Sequence, residues 1–219
     1  MTKLPLVILI SGRGSNMQAI LEEAARGTLP VDIRAVISNR PEASGLETAR
    51  AAGIPTEVVD HRAYASREDY DRALQAAIDR HAPELVVLAG FMRILTPDFV
   101  RHFRGRLLNI HPSLLPAFRG LDTHRRALEA GVAEHGASVH FVTEELDGGP
   151  VIAQIHVPVR PGDTEADLAR RVLKQEHRLY PTVIGWFATG RLRYRDGAAW
   201  LDGRPLPEPQ RLDAVTAEA

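Results

Sequence analysis

Over its first two-thirds the chain alternates short apolar runs with stretches in which apolar residues recur every three or four positions. Val7, Ile8, Leu9 and Ile10 form an unbroken apolar run, as a strand buried on both faces requires. In 16–26, Met17, Ile20, Leu21, Ala24 and Ala25 fall at helical spacing. The same alternation predicts strands at 31–37, 56–59, 85–89 and 106–110. It predicts helices at 45–52, stopped by Gly53 and Pro55, and at 67–80, with Tyr70, Leu74, Ala77 and Ile78 on one face. Apolar strands interleaved with helices imply an α/β fold with a mostly parallel sheet and helices on both faces. Ligands of such sheets sit beyond the carboxyl ends of the strands. The loops after Ile10, Ala89 and Ile110 are therefore the places to look for chemistry.

The pattern changes after Gly136. Residues 137–143 alternate apolar and polar, Asp147, Gly148, Gly149 and Pro150 spell a turn, and 151–159 reads as a further strand. This predicts an antiparallel C-terminal extension of the sheet. A long helix follows over 164–188, capped by Asp163 or Thr164. From Asp202 onward the chain is rich in proline, glutamate and small residues. We take residues 1–206 as a single domain and 207–219 as a poorly ordered tail.

Composition narrows the chemistry. The 219 residues carry a formal net charge of −1 with 44% hydrophobic and 25% charged side chains, the balance of an ordinary globular protein without a field that would gather nucleic acid or a membrane surface. An anionic ligand must then be held by a local site. There is no cysteine, which removes disulfides, thiolate metal sites and thiol nucleophiles. Only two lysines, Lys3 and Lys174, occur among 27 basic residues, and neither lies in a motif suited to Schiff-base chemistry. The apolar run at 4–10 is too short for a signal-peptide core, and no window approaches the ~20 apolar residues of a membrane span. A soluble, cytoplasmic protein is expected. The nine histidines show no metal-ligand spacing, so no metal is expected.

Ser11-Gly12-Arg13-Gly14-Ser15-Asn16 joins a strand to a helix, so its backbone N–H groups and the helix dipole suit a phosphate. A tight turn needing two glycines would look the same. The Gly-Lys-Ser/Thr ending of a nucleotide-hydrolysing loop is absent, as is the third glycine of the dinucleotide fingerprint. Leu107 to Pro116 is the more informative stretch. Asn109 and His111 share one face of a strand as it enters a loop stiffened by Pro112 and Pro116. An amide and an imidazole side by side can donate to an oxygen that gains charge in a transition state. A lone histidine there could equally be structural. Asp147, in its glycine turn, could keep His111 protonated if the fold brought the two together.

Leu108-Asn109-Ile110-His111-Pro112-Ser113-Leu114-Leu115-Pro116, with Gly136-x-Ser138-Val139-x-Phe141-Val142-x5-Asp147-x-Gly149, resembles the folate-dependent formyltransferases. Ile10 to Asn16 and Leu88-Ala89-Gly90-Phe91-Met92-Arg93-Ile94-Leu95 are similar to the branch of that family acting on phosphoribosylglycinamide in purine biosynthesis. The resemblance spans residues 5–206. It implies a Rossmann-like formyltransferase fold and a catalytic trio of Asn109, His111 and Asp147. It gives Gly14, Ser15, Asn16 and Glu176 to the ribonucleotide. Arg67, Met92, Arg93, Ile94, Leu95, Asn109 and the turn of Thr143, Glu144, Glu145, Leu146 and Asp147 go to the reduced folate. Ala117 and Leu173 stand where some relatives carry basic or polar residues.

The activity so implied is transfer of a formyl group from 10-formyltetrahydrofolate to the amine of 5'-phosphoribosylglycinamide, by direct attack through an oxyanion. The expected partners are these small molecules, with no nucleic acid and no membrane, in a monomer or homodimer. A methionyl-tRNA formyltransferase would need a further C-terminal domain and a basic surface, and a deformylase usually has an extra N-terminal domain. A nucleotide-binding module without catalysis would explain the loop at 11–16. It would have no use for Asn109, His111 and Asp147 together.

Overall fold

A computed structural model describes residues 2–212. Its centre is an eight-stranded sheet. Strands β1 (Leu4–Ile10), β2 (Val31–Ser38), β3 (Thr56–Val58), β4 (Leu85–Leu88) and β5 (Leu107–His111) run parallel, β6 (Glu134–Phe141) runs antiparallel to them, and β7 (Val151–Pro158) pairs antiparallel with β6. With β11 (Gln210–Leu212) at the far edge, the order is β11-β7-β6-β5-β4-β1-β2-β3. The α/β fold and its antiparallel extension are therefore as the apolar patterning predicts.

Six α-helices among the described residues cover the sheet. On one face α1 (Ser15–Ala25), α2 (Gly45–Ala51), α5 (Thr123–Glu129) and α6 (Glu165–Ala188) pack on Leu6, Ile8, Ile10, Leu108 and Ile110. On the other, α3 (Arg67–Asp79) and α4 (Pro97–His102) pack on Val7, Leu9, Ile37 and Leu107. Alternate residues of each strand thus feed two cores, because successive side chains point to opposite faces. Thr164, not Asp163, caps α6: its side chain accepts from the Asp167 N–H while Asp167 reaches back to the Thr164 N–H. From the middle of α6, the buried Tyr180 hydroxyl reaches the Leu88 and Leu108 carbonyls at 2.9 and 3.1 Å. That fixes the helix beneath the ends of β4 and β5.

Several elements escape the sequence pattern. Helices α4 and α5 have six and seven residues, less than two turns, and neither is closed by the glycine-and-proline stop that marks the equally short α2. A small antiparallel sheet of β8 (Leu192–Arg195), β9 (Ala198–Leu201) and β10 (Arg204–Pro205) follows α6. The composition of 207–219 suggests little order, yet Gln210–Leu212 instead pairs in parallel with Ala153–Ile155 of β7. Sheet pairing supplies hydrogen bonds whatever the side chains, which composition cannot reveal. Residues 213–219 of that tail lie outside the described residues.

Candidate active site

The first candidate loop leaves β1 and enters α1 through Gly14, whose φ of 68° is the left-handed conformation that glycine adopts without strain. No side chain caps α1. Its first N–H groups are accordingly available to an anion. Behind the loop, Gly45 of α2 donates to the Gly12 carbonyl at 3.1 Å. A Cβ on Gly45 would lie only 2.7 Å from Ile10 Cδ1 and 3.0 Å from the Gly12 and Arg13 carbonyls, so a larger residue here would have to push its neighbours aside. Asn16 Nδ2 donates to Glu176 Oε2 at 2.6 Å, joining α1 to α6 across 160 residues. Asn16 Oδ1 is buried with no hydrogen-bond partner. Burial raises the Glu176 carboxyl above the ordinary glutamate range, and the Asn16 hydrogen bond opposes that shift.

The second loop, 90–96, is pinned at both ends. Ser11 Oγ accepts from the Met92 N–H at 2.7 Å and donates to Asn39 Oδ1 at 2.6 Å. The buried Asp71 accepts from the Thr96 N–H at 2.6 Å. Between these anchors Met92 and Ile94 stand out with 58% and 59% of their surface exposed. Leu95 is half-buried against the α3 core. Arg93 lays its guanidinium over the Tyr70 ring, 5.5 Å from the centroid. Arg67 heads α3 with its side chain exposed, and its charge, like that of Arg93, acts on Asp71.

The third cluster lies beyond β5. His111 Nδ1 is 3.5 Å from Asp147 Oδ2, with both side chains buried. His111 Nε2 donates to the Phe118 carbonyl at 3.0 Å, so both ring nitrogens face oxygen acceptors. Asp147 Oδ2 also accepts from the Gly120 N–H at 2.9 Å, tying the segment after Pro112 over the pair. Asp147 takes a φ of 49°. Its turn is closed by Gly149, where a Cβ would come 1.9 Å from the Phe141 carbonyl. The rest of the turn is more open: Glu144 and Glu145 pair with Arg101 and Arg119, Thr143 is half-buried and Leu146 is 54% exposed.

Asn109 does not touch His111 directly in the hydrogen-bond pattern. Its Nδ2 lies 3.1 Å from His140 Nε2, and that nitrogen is 3.8 Å from Asp147 Oδ1. A chain Asn109–His140–Asp147–His111 results, and it places the three residues expected from sequence in one cluster. His140 is a residue the sequence reading passes over, since the motif leaves its position unassigned. The signal available was its alternation with Ser138, which puts both on one face of a strand. Ser138 is a second omission: its hydroxyl donates to the Ser113 carbonyl at 2.7 Å and accepts from the Leu115 N–H at 3.0 Å, locking the proline loop.

A cleft of about 460 Å³ lies elsewhere, along α6 between Leu29 and Trp186, and another of about 280 Å³ touches Ser15 and His177. Neither is lined by Asn109, His111 or Asp147. The buried polar chain is the better guide to chemistry, because converging charged and hydrogen-bonding groups, not volume, stabilise a transition state. No group of acidic and histidine side chains among the described residues could hold a metal ion. No described helix is long and apolar enough to cross a membrane.

Comparison with known proteins converges on one result. Residues 4–184 match the family described as formyl transferase. The chain is 60% identical over 202 residues to the phosphoribosylglycinamide formyltransferase of Escherichia coli K12, covering 92% of this chain and 95% of that protein. It is 46% identical over 203 residues to the Haemophilus influenzae protein of the same name, covering 93% and 96%. The solved phosphoribosylglycinamide formyltransferase of Coxiella burnetii, a complex with CHES, superposes with a TM-score of 0.92 at 51% identity, covering 95% of this chain and 99% of that one.

Proposed function

This chain belongs to the formyl transferase family, and from that premise we propose how it moves the formyl group of 10-formyltetrahydrofolate to the amine of 5'-phosphoribosylglycinamide. The observation that carries the assignment is the chain Asn109–His140–Asp147–His111 at the end of β5, half-buried at Asn109 and buried beyond it. The amine nitrogen attacks the formyl carbon, and the carbonyl oxygen takes up the electron pair. Asn109 donates a hydrogen bond to that oxygen, and His111 donates its Nε2 hydrogen to it in exchange for the Phe118 carbonyl. As it reforms the carbonyl, the bond from the formyl carbon to the folate nitrogen breaks. The proton lost by the attacking amine ends on that folate nitrogen. Asp147 holds His111 by its charge and accepts or relays the proton in transit. Preorganised donors of this kind stabilise charge where it develops and need no reorganisation as it appears.

The other assignments follow the same geometry. Gly14, Ser15 and Asn16 take the phosphate and ribose of the acceptor at the uncapped start of α1, with Glu176 behind Asn16. Met92, Ile94 and Leu146 are among the few large apolar side chains left exposed, and they fit the flat ring of a reduced folate. Backbone from Arg93 to Leu95 and from Thr143 to Asp147 walls that ring, and Arg67 reaches its acidic tail. The Arg93 guanidinium, resting on Tyr70, contributes to the loop rather than to the ligand. The chain works in the cytoplasm on these small molecules alone, as a monomer or homodimer.

Loss of the formylated folate, followed with and without the ribonucleotide, tests the reading. Asn109→Ala and His111→Ala should each lower kcat by roughly 100- to 1000-fold, the usual cost of an oxyanion donor. Either variant turning over within a few-fold of the parent would remove that residue from the mechanism. Folate loss independent of the ribonucleotide would make the protein a deformylase.

A further inference from the structure

Asn109 can serve an oxyanion only if its carboxamide presents N–H and not C=O, and nothing in the residue itself settles which. The settling contact is His140. The two residues are direct cross-strand partners in the β5–β6 ladder, so their side chains share one face. At Val139/His140 the register between β6 and β7 shifts, an irregularity of the kind that re-aims a side chain. His140 is buried, and its Nδ1 lies 3.0 Å from the Phe141 carbonyl, which can only accept. Nδ1 therefore carries the hydrogen. Burial pushes the ring down to about 4, against the pull of Asp147 and aided by His111 and Arg119, the charged groups that face it. At neutral pH the ring is uncharged and Nε2 is a bare lone pair, 3.1 Å from Asn109 Nδ2. With the amide reversed, Oδ1 would face that lone pair, two acceptors in contact.

We propose that His140 is a positioning residue for formyl transfer, its bare Nε2 fixing the Asn109 carboxamide so that the second Nδ2 hydrogen points at the formyl oxygen. The inference rests on the role given to Asn109 above and adds a residue to it. Asp147, 3.8 Å from the same nitrogen, favours a hydrogen on it, and burial of the ring outweighs that pull. It has no hydrogen to accept from neutral His140, so it stays committed to His111 and the Gly120 N–H.

The test is a kinetic set read with Asn109→Ala beside it. His140→Leu should lower kcat about tenfold to a hundredfold, the range typical of lost orienting contacts, with the KM of both substrates within threefold of the parent. His140→Gln, whose carbonyl can stand where Nε2 stood, should recover most of that loss. In the Asn109→Ala background, His140→Leu should change kcat less than threefold. If Asn109→Ala is slow while His140→Leu matches the parent, the inference fails and the catalytic assignment stands. Equal losses in the Leu and Gln variants, or multiplying losses in the double variant, would also overturn it. If Asn109→Ala itself is near the parent, the oxyanion role and this inference fall together. A histidine nitrogen NMR spectrum of the parent needs no variant to fold. It should show His140 at pH 7 with hydrogen on Nδ1 and none on Nε2, and a hydrogen on Nε2 would refute the proposal.

Discussion

Glu176 shows how one residue's role depends on a partner far along the chain. In sequence it is one acid in Gln175-Glu176-His177, and only the contact with Asn16 makes it a buried carboxyl clamped to the phosphate loop. Replacing it with leucine leaves the Asn16 carboxamide buried with both ends unpaired, a cost of about 1–3 kcal/mol. We expect Glu176→Leu to lower the thermal midpoint and raise the KM for the ribonucleotide. Glu176→Gln, which keeps an acceptor for Asn16, should stay close to the parent in stability. Equal destabilisation by the two substitutions, measured by calorimetry, would show that the side chain fills space without pairing. Asn109, His111 and Asp147 were legible as candidates because their residue types and neighbours are informative. His140 was not: its function comes from facing Asn109 across a strand pair, and no local pattern encodes that.

At the scale of elements, strands and long helices follow directly from apolar periodicity. The parallel strands are covered on both sides and so read as continuous apolar runs, and α3 and α6 are long enough to show a full stripe. The glycine turn between β6 and β7 is the element on which the site most depends. Gly149 passes so close to the Phe141 carbonyl that a methyl group cannot be accommodated without moving the turn or the end of β6. Gly149→Ala should therefore destabilise the fold by about 1–3 kcal/mol, as overpacking does. It should also lower kcat, because Asp147 sits two residues earlier in the same turn. Urea unfolding and steady-state kinetics on one preparation check both expectations. An unchanged unfolding midpoint would show that the turn yields freely.

For the molecule as a whole, buried histidines make stability depend on acid. Burial pushes His135 and His140 to about 4, against about 6.5 in an unfolded chain. Between those values the unfolded chain binds more protons than the folded one, so stability rises with pH and is lost on acidification from about 6.5 toward 4. Asp71 and Glu176 act in the opposite sense, since burial raises both and the folded chain then holds the extra proton. The histidine contribution is isolated by comparing slopes. Thermal midpoints measured from pH 7 to pH 4.5 should fall less steeply for His135→Phe than for the parent. Identical slopes would mean that His135 carries no such linkage.

The sequence by itself determined the class of fold, the long elements and the three loops where chemistry could occur. Each of these follows from local physics: apolar periodicity selects strand or helix, and a strand that gives out into glycine or proline marks a loop held in fixed geometry. The resemblance of the motifs then implied the reaction. Only the tertiary structure decided that Asp147 meets His111, that Glu176 meets Asn16 across 160 residues, and that His140 links Asn109 to Asp147. It also decided that residues 210–212 join the sheet beside β7. These are pairings between distant segments. Their free energy depends on register, burial and direction, which exist only once the strands are laid side by side.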